Sequence, residues 1–296
     1  MAGSRSPAGS DPRSPRRPAG GWAAAIAGLL FGAVGVGLLV AAATGALEVP
    51  PLLLAGVAAL FLGGGMVVGV QGWRSAQRSR QVALHPGQPW RFDHAWDPGG
   101  ALDETGARAR AALWQAAIAA AFVLPFHALA ATQPDAFPLV AVALLDLLPV
   151  AILARGAFLL LRRRKYGVAR LRFARFPYLL GEPLEATLLL GQRAPLVRDL
   201  EVTLGCKERR PVESDEGGER QVRLEEVEVY RSTQAMRGAR QIELRFELPR
   251  DGRDLGTDLV SMAPRRWEIR VRGEAPGIDF DATFLVPVYA PPHEGG

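Results

Sequence analysis

Asp146 is the residue whose chemistry is hardest to place without cost. It stands near the middle of an apolar run, about Phe137–Ala154, where a charged side chain costs at least ~2.5–3.5 kcal/mol on insertion scales. Such a carboxyl faces other helices, stays neutral or serves a pathway. His127, in the preceding apolar run, is its candidate partner. At 1.5 Å per helical residue the two lie roughly 6–9 Å apart in depth, which predicts only marginal contact. Pro149 removes a backbone donor and frees the carbonyl of Leu145 for another hydrogen bond. These groups suit a proton or ion relay, or else one satisfied polar spot that locks helix packing. The scarcity of other polar residues in the runs favours the second.

Other reactive side chains have plainer readings. His85, Asp93, His94 and Asp97 match no ligand spacing and are interrupted by prolines, so no metal and no other cofactor is expected. Cys206 is the single cysteine, which excludes an intrachain disulfide. It follows Val202 and Leu204 at period two, and that places it on a core face as an inert thiol. Asp279 and Asp281 alternate outward as solvated carboxylates, too few for a calcium site. There is no GxSxG, HExxH, phosphate-binding glycine loop or dinucleotide fingerprint, and no enzymatic activity is expected.

The elements that position these residues divide the chain in two. Apart from Glu48, Asp135, Asp146 and Arg155, the segments 21–71 and 111–161 are almost wholly apolar, whereas residues 166–296 carry 42 of the 65 charges. That split excludes a single soluble globule, a disordered chain and a secreted disulfide scaffold. The formal charge of +5 is local: residues 166–296 hold 20 basic against 22 acidic groups, the remainder 15 against 8. Cations that rim apolar stretches mark topology and contact with anionic lipid; binding to nucleic acid is not expected.

Four stretches are long enough to cross a ~30 Å hydrocarbon core: Trp22–Leu47, Pro51–Val70, Ala111–Ala131 and Phe137–Ala154, the last extending towards Leu161. The first is too long for a signal-peptide core, although Ala41–Ala46 mimics a cleavage site. Arginines cluster before the first stretch, between the second and third, and after the fourth, at Arg162, Arg163, Arg164 and Lys165; the other two loops contain no cation. The positive-inside rule then predicts a multi-pass protein of the bacterial inner membrane with both termini cytoplasmic. Trp22, Trp73, Trp114 and Tyr166 fall at the same inner interface, as belt anchors do. Arg155 reaches the inner headgroups by snorkelling. Gly28 and Gly32, and Gly65 and Gly69, are each four apart, a spacing that lets helix backbones approach. They predict a tight hairpin within one chain, with a homodimer through the same face as the alternative.

Beyond the fourth stretch the pattern changes to period two. Ile242, Leu244, Phe246 and Leu248 alternate with polar residues, as do Trp267, Ile269 and Val271. Strands are also expected at Gly167–Phe173, Glu182–Leu190, Asp199–Cys206, Val222–Tyr230 and Phe280–Val288, with Lys207–Arg220 a charged loop whose part Glu213–Glu219 is mobile. The fold class is α + β: four transmembrane helices in two hairpins and a C-terminal antiparallel β-sandwich. The expected organisation is a disordered basic tail 1–20, a hairpin 21–71, a cytoplasmic insert 72–110, a second hairpin 111–165 and the sandwich 166–292. Within the insert, His85–Gly100 alternates turn formers with aromatics and reads as an ordered loop or small hairpin. Its Trp90, Phe92 and Trp96 must bury against the inner membrane surface or the C-terminal domain.

The run Trp267–Arg272 followed by Ala275–Val288, with His85-Pro86, Pro89-Trp90 and Tyr166-Gly167, resembles a family of uncharacterised bacterial multi-pass membrane proteins. Their cytoplasmic domain is an arrestin-like or immunoglobulin-like β-sandwich. The chain departs from that family at Gly181-Glu182, where paired glycines are expected, and at Arg91–Ala95, where an aromatic run is broken. The resemblance implies architecture and no activity. The expectation is a non-catalytic, membrane-tethered interaction or scaffolding module that meets an unidentified protein through the sandwich. The alternative is a small transporter or membrane sensor that uses Asp146 and His127.

Overall fold

In a computed structural model, the structure describes residues 21–46, 50–85, 87–131, 136–191, 197–216, 219–250, 255–261 and 263–291. The expected tail 1–20 and the loops at Leu47–Val49 and Thr132–Asp135 lie outside them. Four helices, α1 (Gly21–Thr44), α2 (Pro51–Leu84), α3 (Thr105–Ala130) and α4 (Ala136–Tyr166), are long and apolar enough to cross a membrane. Their surfaces expose leucine, valine and phenylalanine rather than charge. Proline at the first position starts α2, since the donor it lacks has no partner there anyway. α4 ends at Gly167, whose φ of +80° turns the chain and whose N–H donates to Arg163 O at 2.8 Å. α2 runs 14 residues past Val70, so the first part of the expected insert, with Arg74, Arg78 and Arg80, is helical.

The remaining chain forms two four-stranded antiparallel sheets. One is ordered β1-β2-β4-β7, from Gly100–Leu102, Arg170–Phe173, Pro183–Leu189 and Gln241–Glu247. The other is β6-β5-β8-β9, from Glu219–Arg237, Asp199–Glu216, Arg265–Gly273 and Phe280–Val286. A two-residue parallel pair, β3 (Tyr178–Leu179) with β10 (Val288–Tyr289), lies beside them. Alternate residues of both sheets enter one core: Leu171, Leu184, Leu188, Leu244 and Phe246 from the first, Val202, Leu204, Trp267, Ile269 and Phe284 from the second. Period-two patterning is the cause, because each strand turns one apolar face inward. β1 belongs to the segment between the helix pairs, and it pairs antiparallel with β2 (Gly100↔Arg172, Leu102↔Arg170). Gly100 permits this join: its φ is +146°, and a Cβ there would lie 2.1 Å from Leu171 O.

Two expectations are corrected. Lys207–Arg220 is not a loop: β5 continues to Glu216 and β6 starts at Glu219, so the ribbon runs beyond the end of β8. Cross-strand register accommodates this, since it sets Arg209 opposite Glu226 and Arg210 opposite Glu225. Tyr166 is not a belt residue. It is 2% exposed, packs edge-on to Phe280 at 5.2 Å and donates its hydroxyl to Ile278 O.

α1 and α2 pack along their length through small residues at seven-residue spacing. Gly21, Gly28 and Gly35 on α1 meet Ala58, Gly65 and Gly72 on α2. A Cβ at Gly28 would lie 2.3 Å from Gly69 N, and one at Gly65 2.6 Å from Gly28 O. The four-residue spacing is therefore only partly used: a Cβ at Gly32 meets nothing within 4 Å, and one at Gly69 nothing nearer than 3.9 Å. Seven residues is the repeat that keeps one face against a neighbour in a left-handed crossing. The glycine face is filled by the chain's own hairpin, so a homodimer through it would have to open that hairpin. Gly28→Leu should destabilise the protein in detergent by ~1–3 kcal/mol or more, through overpacking. Gly32→Ala should be neutral or slightly stabilising. Thermal unfolding followed by circular dichroism checks this, and equal losses from both variants would place the seam elsewhere.

Candidate functional site

The helices bring His127 and Asp146 together. His127 Nε2 lies 3.0 Å from one Asp146 carboxylate oxygen and 3.1 Å from the other. The expected gap in depth closes because helical side chains lean towards their own N-terminus. α3 and α4 run antiparallel, so each of the two side chains leans towards the other's level. The pair is open on one flank, with side chains 46% and 39% exposed. Pro125 in α3 and Pro149 in α4 stand nearby in sequence, each removing a helical donor.

A second polar cluster forms where the segment between α2 and α3 meets the sheets. After α2 the chain makes one 3₁₀ turn, Pro89–Arg91, and reaches β1 without a hairpin of its own. Asp93, 3% exposed, accepts a hydrogen bond from the Tyr289 hydroxyl at 2.5 Å. The Trp96 indole N–H is shared between Asp93 Oδ1 at 3.1 Å and the Tyr289 oxygen at 2.9 Å. Trp90 packs edge-on to Tyr289, with ring centres 5.6 Å apart. Of the two surfaces expected to take these aromatics, the C-terminal domain therefore takes Trp90 and Trp96. Burial pushes the Asp93 carboxyl above its usual range, against the hydrogen bonds from Tyr289 and Trp96. Burial, with Asp93 beside it, likewise drives the Tyr289 phenol far up. The cluster thus locks the segment between α2 and α3 to β10. His85 stacks on Phe92 and His94 lies edge-on to Trp96, each at 4.6 Å, while Asp97 caps Gly99 N–H at 2.9 Å. Among the described residues no three histidine, cysteine or acidic side chains converge as for a metal.

A few residues further on, Glu104 N–H donates to Thr283 O at 3.0 Å and Thr283 N–H to Asp103 Oδ1 at 3.2 Å. The α4 end is tied to the same region. Lys165 Nζ donates to Pro276 O at 2.6 Å and Ile278 O at 2.7 Å, and Arg162 lies 3.6 Å from Asp281. Asp281 also takes Arg270 at 2.6 Å, so it is more than a solvated carboxylate. Burial alone would raise the Asp281 carboxyl, but Arg270 and Arg162 hold it below the usual range. Arg162 and Lys165, expected as headgroup anchors, thus contact the sheets. Arg163 packs over Gly106 at the start of α3. Trp22, Trp73, Trp114 and Arg155 are exposed. Cys206 is fully buried, and burial pushes its thiol up to about 12. The Tyr289 partnership was invisible in the sequence, because nothing local links positions 196 residues apart; the signal available was the unexplained density of tryptophan around Asp93.

No protein-family model matches the chain, and no curated protein matches it. Among solved structures it is similar to Spo0M, a sporulation control protein from Bacillus subtilis, at 16% identity and a TM-score of 0.28, over 41% of this chain and 49% of that one. The match thus spans about half of that protein's length, and a likeness at this score carries no argument about fold or function.

Tyr289→Phe removes one donor from a buried carboxyl and should cost about 1.5–3 kcal/mol. Combined with Asp93→Asn the loss should fall short of the sum of the two, because both groups belong to one network. Unfolding of the full chain in detergent measures both. Additive losses would show that the two groups do not act together.

Proposed function

We propose that the four apolar helices cross a bacterial inner membrane as two hairpins, with both termini and a β-sandwich on the cytoplasmic side. The protein is then a non-catalytic scaffold that holds the sandwich at a fixed attitude to the bilayer for a protein partner. The arginine distribution supports the orientation. The observation that carries the scaffold reading is β1: the segment between the hairpins is itself a strand of the first sheet, so the sandwich is not on a free linker.

The pattern of sheet edges indicates where a partner would bind. β9 is covered by Asp103 and Glu104. β1 is only three residues long. On β7, the carbonyls of Arg245 and Glu247 accept from Gln234 Nε2 at 2.7 Å and the Tyr230 hydroxyl at 2.9 Å. These are the guards that natural sheets place on their edges. In the ribbon, Arg209 N–H points to Pro264 O, so Pro211, two residues on, turns its missing donor to that same outer side of β5. β6 remains: a 19-residue strand to whose outer side no strand is hydrogen-bonded among the described residues, its Tyr230 and Gln234 side chains alone reaching β7. An extended segment of a membrane-associated protein adds to β6 as a further strand. A photo-crosslinking residue at Arg223 or Glu225 should give a discrete adduct in cells, and one at Gln241 on guarded β7 should not. Equal adducts from both strands, or none from either, would overturn the reading.

The His127–Asp146 contact supports a second reading, a membrane sensor or small transporter built on that pair. Asp146→Asn separates the two. In a sensor it abolishes a pH-dependent change in hydrogen exchange over residues 136–166 and leaves abundance unchanged. In the scaffold the native protein shows no such change, and the substitution costs about 0.6–1.7 kcal/mol of stability.

A further inference from the structure

We propose that the phosphate of an anionic phospholipid is seated between Arg164 and Arg170, where α4 hands over to β2. This rests on the reading that α4 crosses a bilayer. A cavity of about 420 Å³ opens at that point, lined by Arg164, Tyr166, Val168, Arg170, Leu189 and Leu190 among others. Among the described residues no carboxylate lines it. The larger groove beside Arg162, by contrast, is lined by Asp199, Glu201, Glu274, Asp279 and Asp281 and would repel an anion.

Three observations point to a lipid. The first is depth. The apolar run of α4 ends at Leu161, and Arg164 follows three residues later, about 4.5 Å along the axis. Headgroups occupy roughly the next 5–7 Å beyond the hydrocarbon, so the guanidinium lies at phosphate level. The second is amphipathy. Leu160, Leu161 and Val168 are exposed beside the two arginines, so the seat offers an acyl chain a track and a phosphate two cations. The third is charge balance. Some arginines of the sheet domain are compensated, as Arg175 is by Glu182, Arg245 by Glu185 and Arg265 by Glu208. Arg170 instead stands in register between Leu102 and Leu189 and makes no ion pair among the described residues. A guanidinium placed this way takes a phosphodiester through paired N–H donors. A lipid with net negative charge is preferred over a zwitterionic one, whose ammonium would face the same cations.

The full chain in nanodiscs of mixed phosphatidylcholine and phosphatidylglycerol, released for native mass spectrometry, tests this. The native protein should retain a single phosphatidylglycerol, and Arg170→Gln should lower that retention about tenfold. Arg172→Gln makes the same charge change on the same face of β2, outside the cavity, and should leave retention unchanged. Equal losses from the two variants mean diffuse attraction and overturn the seat. Displacement of the lipid by inorganic phosphate or glycerol phosphate would make it a site for free phosphate and overturn the lipid assignment. If the protein enters the discs but retains both lipids equally, the seat alone fails; if it does not enter them, the membrane reading fails with it.

Discussion

The three-residue ladder between β1 and β2 holds the molecule in one piece. It is small as a set of hydrogen bonds, but it joins the segment linking α2 to α3 with the strand that follows α4. The end of α2, the start of α3 and the end of α4 therefore meet the sheets at one place. Asp103 and Glu104, immediately after β1, bond to β9 in the other sheet, so a short stretch of chain touches both layers. Loop closure costs grow only slowly with length, so an early pairing of β1 with β2 restrains some seventy intervening residues at modest entropic expense. The Asp93–Trp96–Tyr289 lock opposes peeling of the ladder, because peeling would break the hydrogen bonds of Asp93 and Trp96 to Tyr289.

The cations after α4 show how one cluster serves several ends. A basic run behind an apolar helix sets orientation wherever it points, since the rule depends on charge at insertion and not on the folded contacts. In the folded chain Lys165 is taken up by the carbonyls of Pro276 and Ile278, and Arg162 by Asp281. Their charges tie the sheets to the helix end and leave fewer free groups to face lipid. The connection from α4 to β2 is accordingly short: three residues starting at Gly167, whose φ is +80°, follow Tyr166, which already belongs to the shared core.

Period was the reliable signal in the sequence and distance was the unreliable one. The apolar runs and the alternation at Gln241–Leu248 and Trp267–Val271 correspond to α1–α4, β7 and β8, because each depends only on neighbours two to four residues apart. The outer part of the ribbon escaped because its residues are charged on both strands, and charge in a single strand looks like solvent-loving loop. Only the register, Arg209 facing Glu226 and Arg210 facing Glu225, shows that the charges face opposite partners. Backbone rise alone does not reveal the His127–Asp146 contact, because the direction of the two side chains closes the gap. The glycine seam was half legible: Gly28 and Gly65 lie in it, but Gly21 and Gly72 complete it at a spacing of seven.

α4 is the element on which both readings of the protein converge. Asp146 and Lys165 lie 19 residues apart on it, about 28 Å along one continuous helix. A straight helix transmits rotation and displacement along its axis with little loss, unless a break absorbs them. Pro149 sits between the two residues, three after Asp146, where it removes one rung of the ladder. A change in the His127–Asp146 pair would therefore act first on a helix already weakened at its own level. The part beyond Pro149 is fixed by Lys165, Tyr166 and Arg162 to the turn Pro276–Asp281, and through β9 to the segment that carries β1. As long as those ties hold, the sheets follow α4 as one body. A scaffold needs that rigidity to keep β6 presented, and a sensor needs the same rigidity to report.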